Sequence, residues 1–285
     1  MNAMVSRINK VLYTIILLPV SVLMFGCSIM PVLIDRSFIA DDIANKAGFS
    51  KEYVKAGGFT LLTYQRFNKL SDRMSIYIEG DGRAWETKHR LSDDPTPSNP
   101  VALRLAAVDP ADSVAYISRP GQYTFSGFPD CDPRYWSGRR FALEVVESID
   151  RVIDVLKKKS GAKYLELVGY SGGGAIAVLV AARRNDVYAL RTVAGNLNIN
   201  AFCEYHHVSL LEGSMDPLDM AKEVARIPQR HFVGAKDKIV PLVIADSFVK
   251  MEGDRGQERI SIVDGASHND GWEKRWRELL DVPLR

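Results

Sequence analysis

Metal and redox chemistry have few handles in this 285-residue chain, which holds only three cysteines and five histidines. It has no Cys-x-x-Cys pair and no His-Glu-x-x-His run, so the common spacings of a zinc site are missing. Repeats and low-complexity tracts are missing too. The 21 glycines and 13 prolines are scattered, and 46% hydrophobic with 25% charged residues is the composition of an ordinary globular protein. A formal net charge of +2 without a basic stripe leaves no electrostatic footprint for nucleic acid, which is set aside as a partner. No unbroken apolar run reaches the roughly 20 residues that a spanning helix needs. Residues 11–25 come nearest, but Tyr13, Thr14, Pro19 and Ser21 interrupt them. No acid occurs before Asp35, whereas Arg7 and Lys10 precede the apolar run, which is the layout of a secretory signal.

The segment Val22-Leu23-Met24-Phe25-Gly26-Cys27 resembles a bacterial lipobox, in which a small residue precedes a cysteine that is lipidated before cleavage exposes it. Phe25 departs from the small or β-branched residue usual at its place. The resemblance implies a signal peptide over residues 1–26, lipidation of Cys27, and a protein held by that lipid at a membrane of the bacterial envelope, facing the periplasm or exterior. An ordinary cleaved signal, or a membrane helix in which Cys27 has no role, are the alternatives. With Cys27 acylated, Cys131 and Cys203 remain in an oxidising compartment, either as a disulfide or as two thiols. Residues 27–57 read as tether and lead-in. Residues 58–285 suffice for one large domain with its core starting near Phe59.

From there short apolar runs alternate with helical ones, the pattern of βα units and a mainly parallel sheet. Strands are expected over residues 59–67, 74–79, 113–118, 164–168, 189–193, 231–233 and 259–263. Helices are expected over 100–108, with Asn99 as cap and proline first, and over 139–159, 174–184, 219–226, 242–251 and 271–280. Two longer loops remain, 81–98 and 119–137. The second carries Tyr123, Phe125, Phe128, Tyr135 and Trp136, which either wall a pocket or cover the sheet's edge.

Leu165-Glu166-Leu167-Val168-Gly169-Tyr170-Ser171-Gly172-Gly173-Gly174-Ala175-Ile176-Ala177 sets a Gly-x-Ser-x-Gly between an expected strand and a small-residue helix. In so sharp a turn, side chains flanking the serine would collide with the neighbouring strand and helix. The helix also turns its positive end toward Ser171. Such a match alone is an ordinary glycine turn, but this setting makes it a nucleophile elbow. A serine hydroxyl needs a base within hydrogen-bond reach and an acid behind that base. Asp237, in Gly234-Ala235-Lys236-Asp237-Lys238-Ile239-Val240-Pro241, follows an expected strand, and His268 sits in the small-residue loop 264–272 after the last one. Of the rival acids, Asp264 is only four residues from His268, and Asp216 precedes the strand that should present the acid. His89, His206, His207 and His231 read as structural or solvent-facing, with His207 the one candidate for lining a pocket.

These segments, in this order, resemble the α/β-hydrolase superfamily over about residues 59–280. The resemblance implies an α/β fold with a mainly parallel central sheet, helices on both faces and no large lid domain, residues 195–219 being too few for one. It implies a triad of Ser171, His268 and Asp237 working through an acyl-enzyme, without metal or organic cofactor. Its oxyanion donors would be the N–H of Gly172 and that of Asp81, with Gly82 the second choice. Both come from Ile76-Tyr77-Ile78-Glu79-Gly80-Asp81-Gly82-Arg83-Ala84-Trp85, where Glu79 stands in place of the family's histidine. A carboxylic ester, from a small molecule or an envelope component, is the expected substrate. The alternatives are an envelope acyltransferase with the same nucleophile and a catalytically inactive, lipid-anchored binding protein.

Overall fold

The computed structural model describes residues 35–67, 71–87, 89–124, 132–253 and 256–285. The signal segment, Cys27 and Cys131 lie outside these residues, and with them the lipidation and disulfide expectations. Cys203 is buried and has no disulfide partner among the described residues. No helix among the described residues is long and apolar enough to cross a membrane.

The strands are β1 (Ser50–Ala56), β2 (Phe59–Phe67), β3 (Arg73–Ile78), β4 (Trp85–Thr87), β5 (Arg90–Leu91), β6 (Ser113–Ile117), β7 (Tyr164–Tyr170), β8 (Val187–Val193), β9 (Gln229–Gly234) and β10 (Ile260–Val263). Eight of them form one sheet in the order β1-β2-β6-β3-β7-β8-β9-β10, and β4 and β5 form a separate hairpin. Every pairing from β6 to β10 is parallel, while β2 runs antiparallel to both its neighbours. The central strands read as continuous apolar runs because both faces are covered. In β7 every residue after Tyr164 is buried.

The helices are α1 (Arg36–Lys46), α2 (Val101–Val108), α3 (Leu143–Ser160), α4 (Gly172–Ala181), α5 (Ile199–His206), α6 (Ala221–Val224), α7 (Leu242–Glu252) and α8 (Trp276–Leu280). They fall on both faces. One core gathers residues of α3, α4 and α7 against the sheet, and the other gathers residues of α1, α2 and α8. Helix α3 shows how sequence makes such an element. Val145, Val146, Ile149, Val152, Ile153 and Leu156 recur at helical spacing and are all buried. Its last turn carries Lys157, Lys158 and Lys159 at the negative end of the dipole, and Gly161 stops it with φ 76°.

Residues 36–56 are part of this fold rather than a tether or lead-in. Gly57-Gly58 is the two-residue turn of the β1–β2 hairpin, in which Ala56 pairs with Phe59, so it does not mark a boundary. β1 escapes a hydrophobicity reading because, at the sheet's edge, it buries only Val54 and Ala56. The cap expected at Asn99 is also corrected. Pro100 occupies the cap position with no side-chain hydrogen bond. Asn99 Oδ1 instead accepts from Arg104 Nε, an arginine whose long side chain reaches back over the first turn.

Candidate active site

Ser171 follows the carboxyl end of the central strand β7 and caps α4 at φ 51°, ψ −121°. Positive φ on a serine is strained backbone, of the kind found where geometry matters more than comfort. The turn holds because its backbone is pinned on both sides. Ser171 N donates to Val193 O at 2.9 Å, and Ser171 O accepts from Gly174 N and Asn196 N. The glycines on either side are obligatory. A Cβ on Gly169 would sit 2.3 Å from Gly173 O, and one on Gly173 would sit 2.2 Å from Ile78 O. Both obstacles are backbone and cannot swing aside. Gly173→Ala is therefore expected to cost at least about 4 kcal/mol, in the range reserved for severe core damage. Urea denaturation, or loss of soluble protein, reads this out; a midpoint within experimental error of wild type would contradict it.

The expected base and acid arrive from two other strand ends. Asp237 follows β9 and His268 follows β10, so the parallel sheet delivers all three side chains to the carboxyl edge of its strands, where α/β proteins place their sites. His268 Nε2 lies 3.0 Å from Ser171 Oγ, and His268 Nδ1 lies 2.9 Å from Asp237 Oδ2. The Asp237 side chain is fully buried. Its other oxygen accepts from the backbone N–H of Ile239 at 2.8 Å and Val240 at 2.9 Å, so the carboxylate cannot rotate away. The His268 backbone is held as firmly, its carbonyl accepting from Trp272 Nε1 at 3.0 Å. The rival acids have other work. Asp216 accepts from the N–H groups of Ile199, Asn200 and Leu218, and it is Asp237, not Asp264, that faces the imidazole.

The segment after β3 packs directly on the elbow, since a Cβ at Gly80 would stand 3.2 Å from Ser171 Cβ. Among the described residues the N–H groups of Asp81 and Gly82 have no hydrogen-bond acceptor, leaving them available beside Gly172. The Asp81 carboxylate rests on Gly172, where a Cβ would meet Oδ1 at 2.1 Å. A carboxylate there would oppose a developing oxyanion, but two buried arginines neutralise it. Arg119 Nη1 lies 3.2 Å from Oδ1 and Arg140 Nη1 lies 3.3 Å from Oδ2. Glu79 is wholly buried, and loss of solvent pushes its carboxyl up to about 7, against the pull of the N–H groups of Gly80 and Ala102 on Oε1.

Ser171 and His268 open into a cleft of about 1240 Å³. Its lining includes Glu79, Asp81, Gly82, Arg140, Asn196 and Tyr170, together with residues of the β4–β5 hairpin, His206 at the end of α5 and residues 207–211 after it. His207 lines it as expected, and so do His89 and His206, whereas His231 is buried in β9. Burial pulls the His231 imidazole down to about 3, so it stays neutral there, within 2.9 Å of Thr192 Oγ1. Among the described residues of the aromatic loop only Ser137 lines the cleft, and the aromatic side chains pack elsewhere. Tyr135 packs edge-on against Phe59 at 4.7 Å, and buried Trp136 donates from Nε1 to Ser92 O. Phe125 and Phe128 lie outside the described residues.

Sequence reasoning missed Arg119, Arg140 and Asn196. No local motif marks them: the two arginines look like surface charges, and only the fold brings positions 81, 119 and 140 together.

No family model and no curated protein matches the chain. Solved structures do. An alpha-beta serine hydrolase homologue from Coxiella burnetii is 18% identical, with a TM-score of 0.54 over 81% of this chain and 93% of that one. Est1E from Butyrivibrio proteoclasticus is 16% identical, with a TM-score of 0.54 over 81% of this chain and 97% of that one. The Pyrococcus horikoshii acylaminoacyl peptidase is 14% identical, with a TM-score of 0.59 over 82% of this chain but only 41% of that one. Likewise the match spans 37% of the puromycin hydrolase, so the chain corresponds to one part of these longer proteins. Likeness at these identities speaks for architecture alone, and together with the strand order it gives the conclusion that the chain has the α/β-hydrolase fold.

Proposed function

We propose that this chain is a serine hydrolase that cleaves a carboxylic ester through an acyl-enzyme on Ser171. One observation carries the reading: the relay from Ser171 Oγ to His268 Nε2 at 3.0 Å and from His268 Nδ1 to Asp237 Oδ2 at 2.9 Å, opening into the cleft. In the first step Ser171 Oγ bonds to the carbonyl carbon while its proton passes to His268 Nε2. Asp237 holds the imidazole in the tautomer with its proton on Nδ1 and stabilises the imidazolium that forms. The carbonyl oxygen, now negative, takes hydrogen bonds from Gly172 N–H and from Asp81 or Gly82 N–H, each donor worth about 3–4 kcal/mol in serine enzymes. His268 then returns the proton to the leaving alcohol. Water, activated by the same imidazole, releases the acid.

Esters are preferred over amides on chemical grounds, because an alcohol leaves the tetrahedral intermediate more easily than an amine. The acyltransferase alternative shares every step until water enters. Ser171 is half-buried in a cleft with no large lid, which favours water as acceptor. Turnover of a short acyl ester with added alcohol separates the two: free acid as the main product supports hydrolysis, and a new ester as the main product supports transfer.

We also propose that residues 1–26 are a lipoprotein-type signal and that Cys27 carries the lipid that holds the domain at an envelope membrane. The support is the pair Arg7 and Lys10, the interrupted apolar run and Gly26-Cys27. Membrane-extracted protein should have the mass of a chain starting at an acylated Cys27; retention of residues 1–26 would refute this.

A further inference from the structure

We propose that Arg140 reads an anionic group on the substrate, so that the preferred ester carries a carboxylate or phosphate near its scissile carbonyl. The inference rests on the hydrolase reading above and adds the substrate class. Arg140 is 8% exposed and lines the cleft. Among the described residues its side chain makes no hydrogen bond; its one ion pair is with Asp81 at 3.3 Å, and its buried Nε has no acceptor. The buried Nε of Arg119 and of Arg191 also lacks an acceptor, but the other buried arginines donate elsewhere. Arg119 donates to Asp81 and to Arg140 O, Arg191 to Leu280 O, and Arg230 to the carbonyls of Pro283 and Glu258.

The charges do not balance either. Arg119 and Arg140 share the single carboxylate of Asp81, and burial keeps Glu79, the next carboxyl in the wall, protonated below about pH 7. The cluster of Asp81, Arg119 and Arg140 beside Ser171 thus holds two cations to one carboxylate. A buried, under-bonded guanidinium is costly unless something compensates it. Its planar fork suits a carboxylate or phosphate better than any neutral group. The position is close to the chemistry: Asp81, which Arg140 touches, rests on Gly172, the expected oxyanion donor.

The test compares kcat/KM for a neutral ester, p-nitrophenyl butyrate, with that for an anionic one of similar length, mono-p-nitrophenyl glutarate. Wild type should favour the anionic ester at least tenfold. In Arg140→Gln the ratio should fall at least tenfold, through KM for the anionic ester, and Arg140→Lys should lie between. Arg134→Gln, which alters an exposed arginine, should keep the wild-type ratio. Glutarate and inorganic phosphate as competitors show which anion the site prefers, and inhibition by either should weaken in Arg140→Gln. A wild-type ratio near one, or a ratio that survives Arg140→Gln in protein that still reacts with a fluorophosphonate, would overturn the inference while leaving the hydrolase reading intact. Folded wild type that fails to react with the fluorophosphonate would remove the reading beneath it.

Discussion

Ser171→Ala should lower ester turnover by about 10⁵–10⁶-fold, the loss seen when the nucleophile of a serine hydrolase is removed, while leaving the fold in place. The structure separates the two effects. What holds the elbow is backbone: Ser171 N to Val193 O, and Gly174 N and Asn196 N to Ser171 O. The side chain contributes one hydrogen bond, to His268 Nε2, and alanine deletes only that. Alanine at φ 51° is strained to a similar degree as serine, so the melting temperature should stay within a few degrees of wild type. Progress curves on a chromogenic short-chain ester, with circular-dichroism melts beside them, check both halves. Turnover retained within tenfold of wild type would place the nucleophile elsewhere.

Glu79→Gln should reshape stability against pH. The Glu79 carboxyl ionises near 4.5 in the unfolded chain and is pushed up to about 7 in the folded one, chiefly by burial. Between those values the folded state holds a proton that the unfolded state has given up. Stability from this group is therefore fully present below about pH 4.5 and is lost as pH rises through 7. The full span is on the order of 3 kcal/mol. Glutamine mimics the protonated acid and does not ionise, so the difference in unfolding free energy between Glu79→Gln and wild type should grow in favour of the variant from pH 5 to pH 8. Glu252, raised to about 7 by its own burial, adds a parallel trend in both proteins and cancels in that difference. Urea titrations at the two pH values measure it, and a difference that does not change with pH would contradict the account. The same ionisation adds negative charge beside the Gly80–Gly82 backbone, where the oxyanion is expected, so the variant should also hold its activity better above pH 7.

How much of this was legible in the sequence depended on the distance over which each signal acts. β2 matches its expected span of residues 59–67, and Ser171, Asp237 and His268 meet as their order implied, because each lies in a local strand-end motif. Where burial is shared out over long range, reading failed. α1 buries only Ala40 and Ala44, and β1 only Val54 and Ala56, so neither shows the period of a core element. Helix α5, inside the stretch 195–219, was missed because only Ile199 and Cys203 of its eight residues are buried. The Asp81–Arg119–Arg140 cluster joins three segments that have no mutual pattern in the chain. Glu79 did stand out, as the acid where the family this segment resembles has histidine, yet only the fold shows it to be wholly enclosed.

The central claim is that Ser171 is a nucleophile activated by His268, and peptide mapping by mass spectrometry after treatment with a fluorophosphonate tests it most directly. The account predicts one adduct, on Ser171, absent from Ser171→Ala and formed far more slowly in His268→Ala. Folded wild-type protein that stays unmodified, or an adduct on another residue with Ser171 untouched, would contradict it.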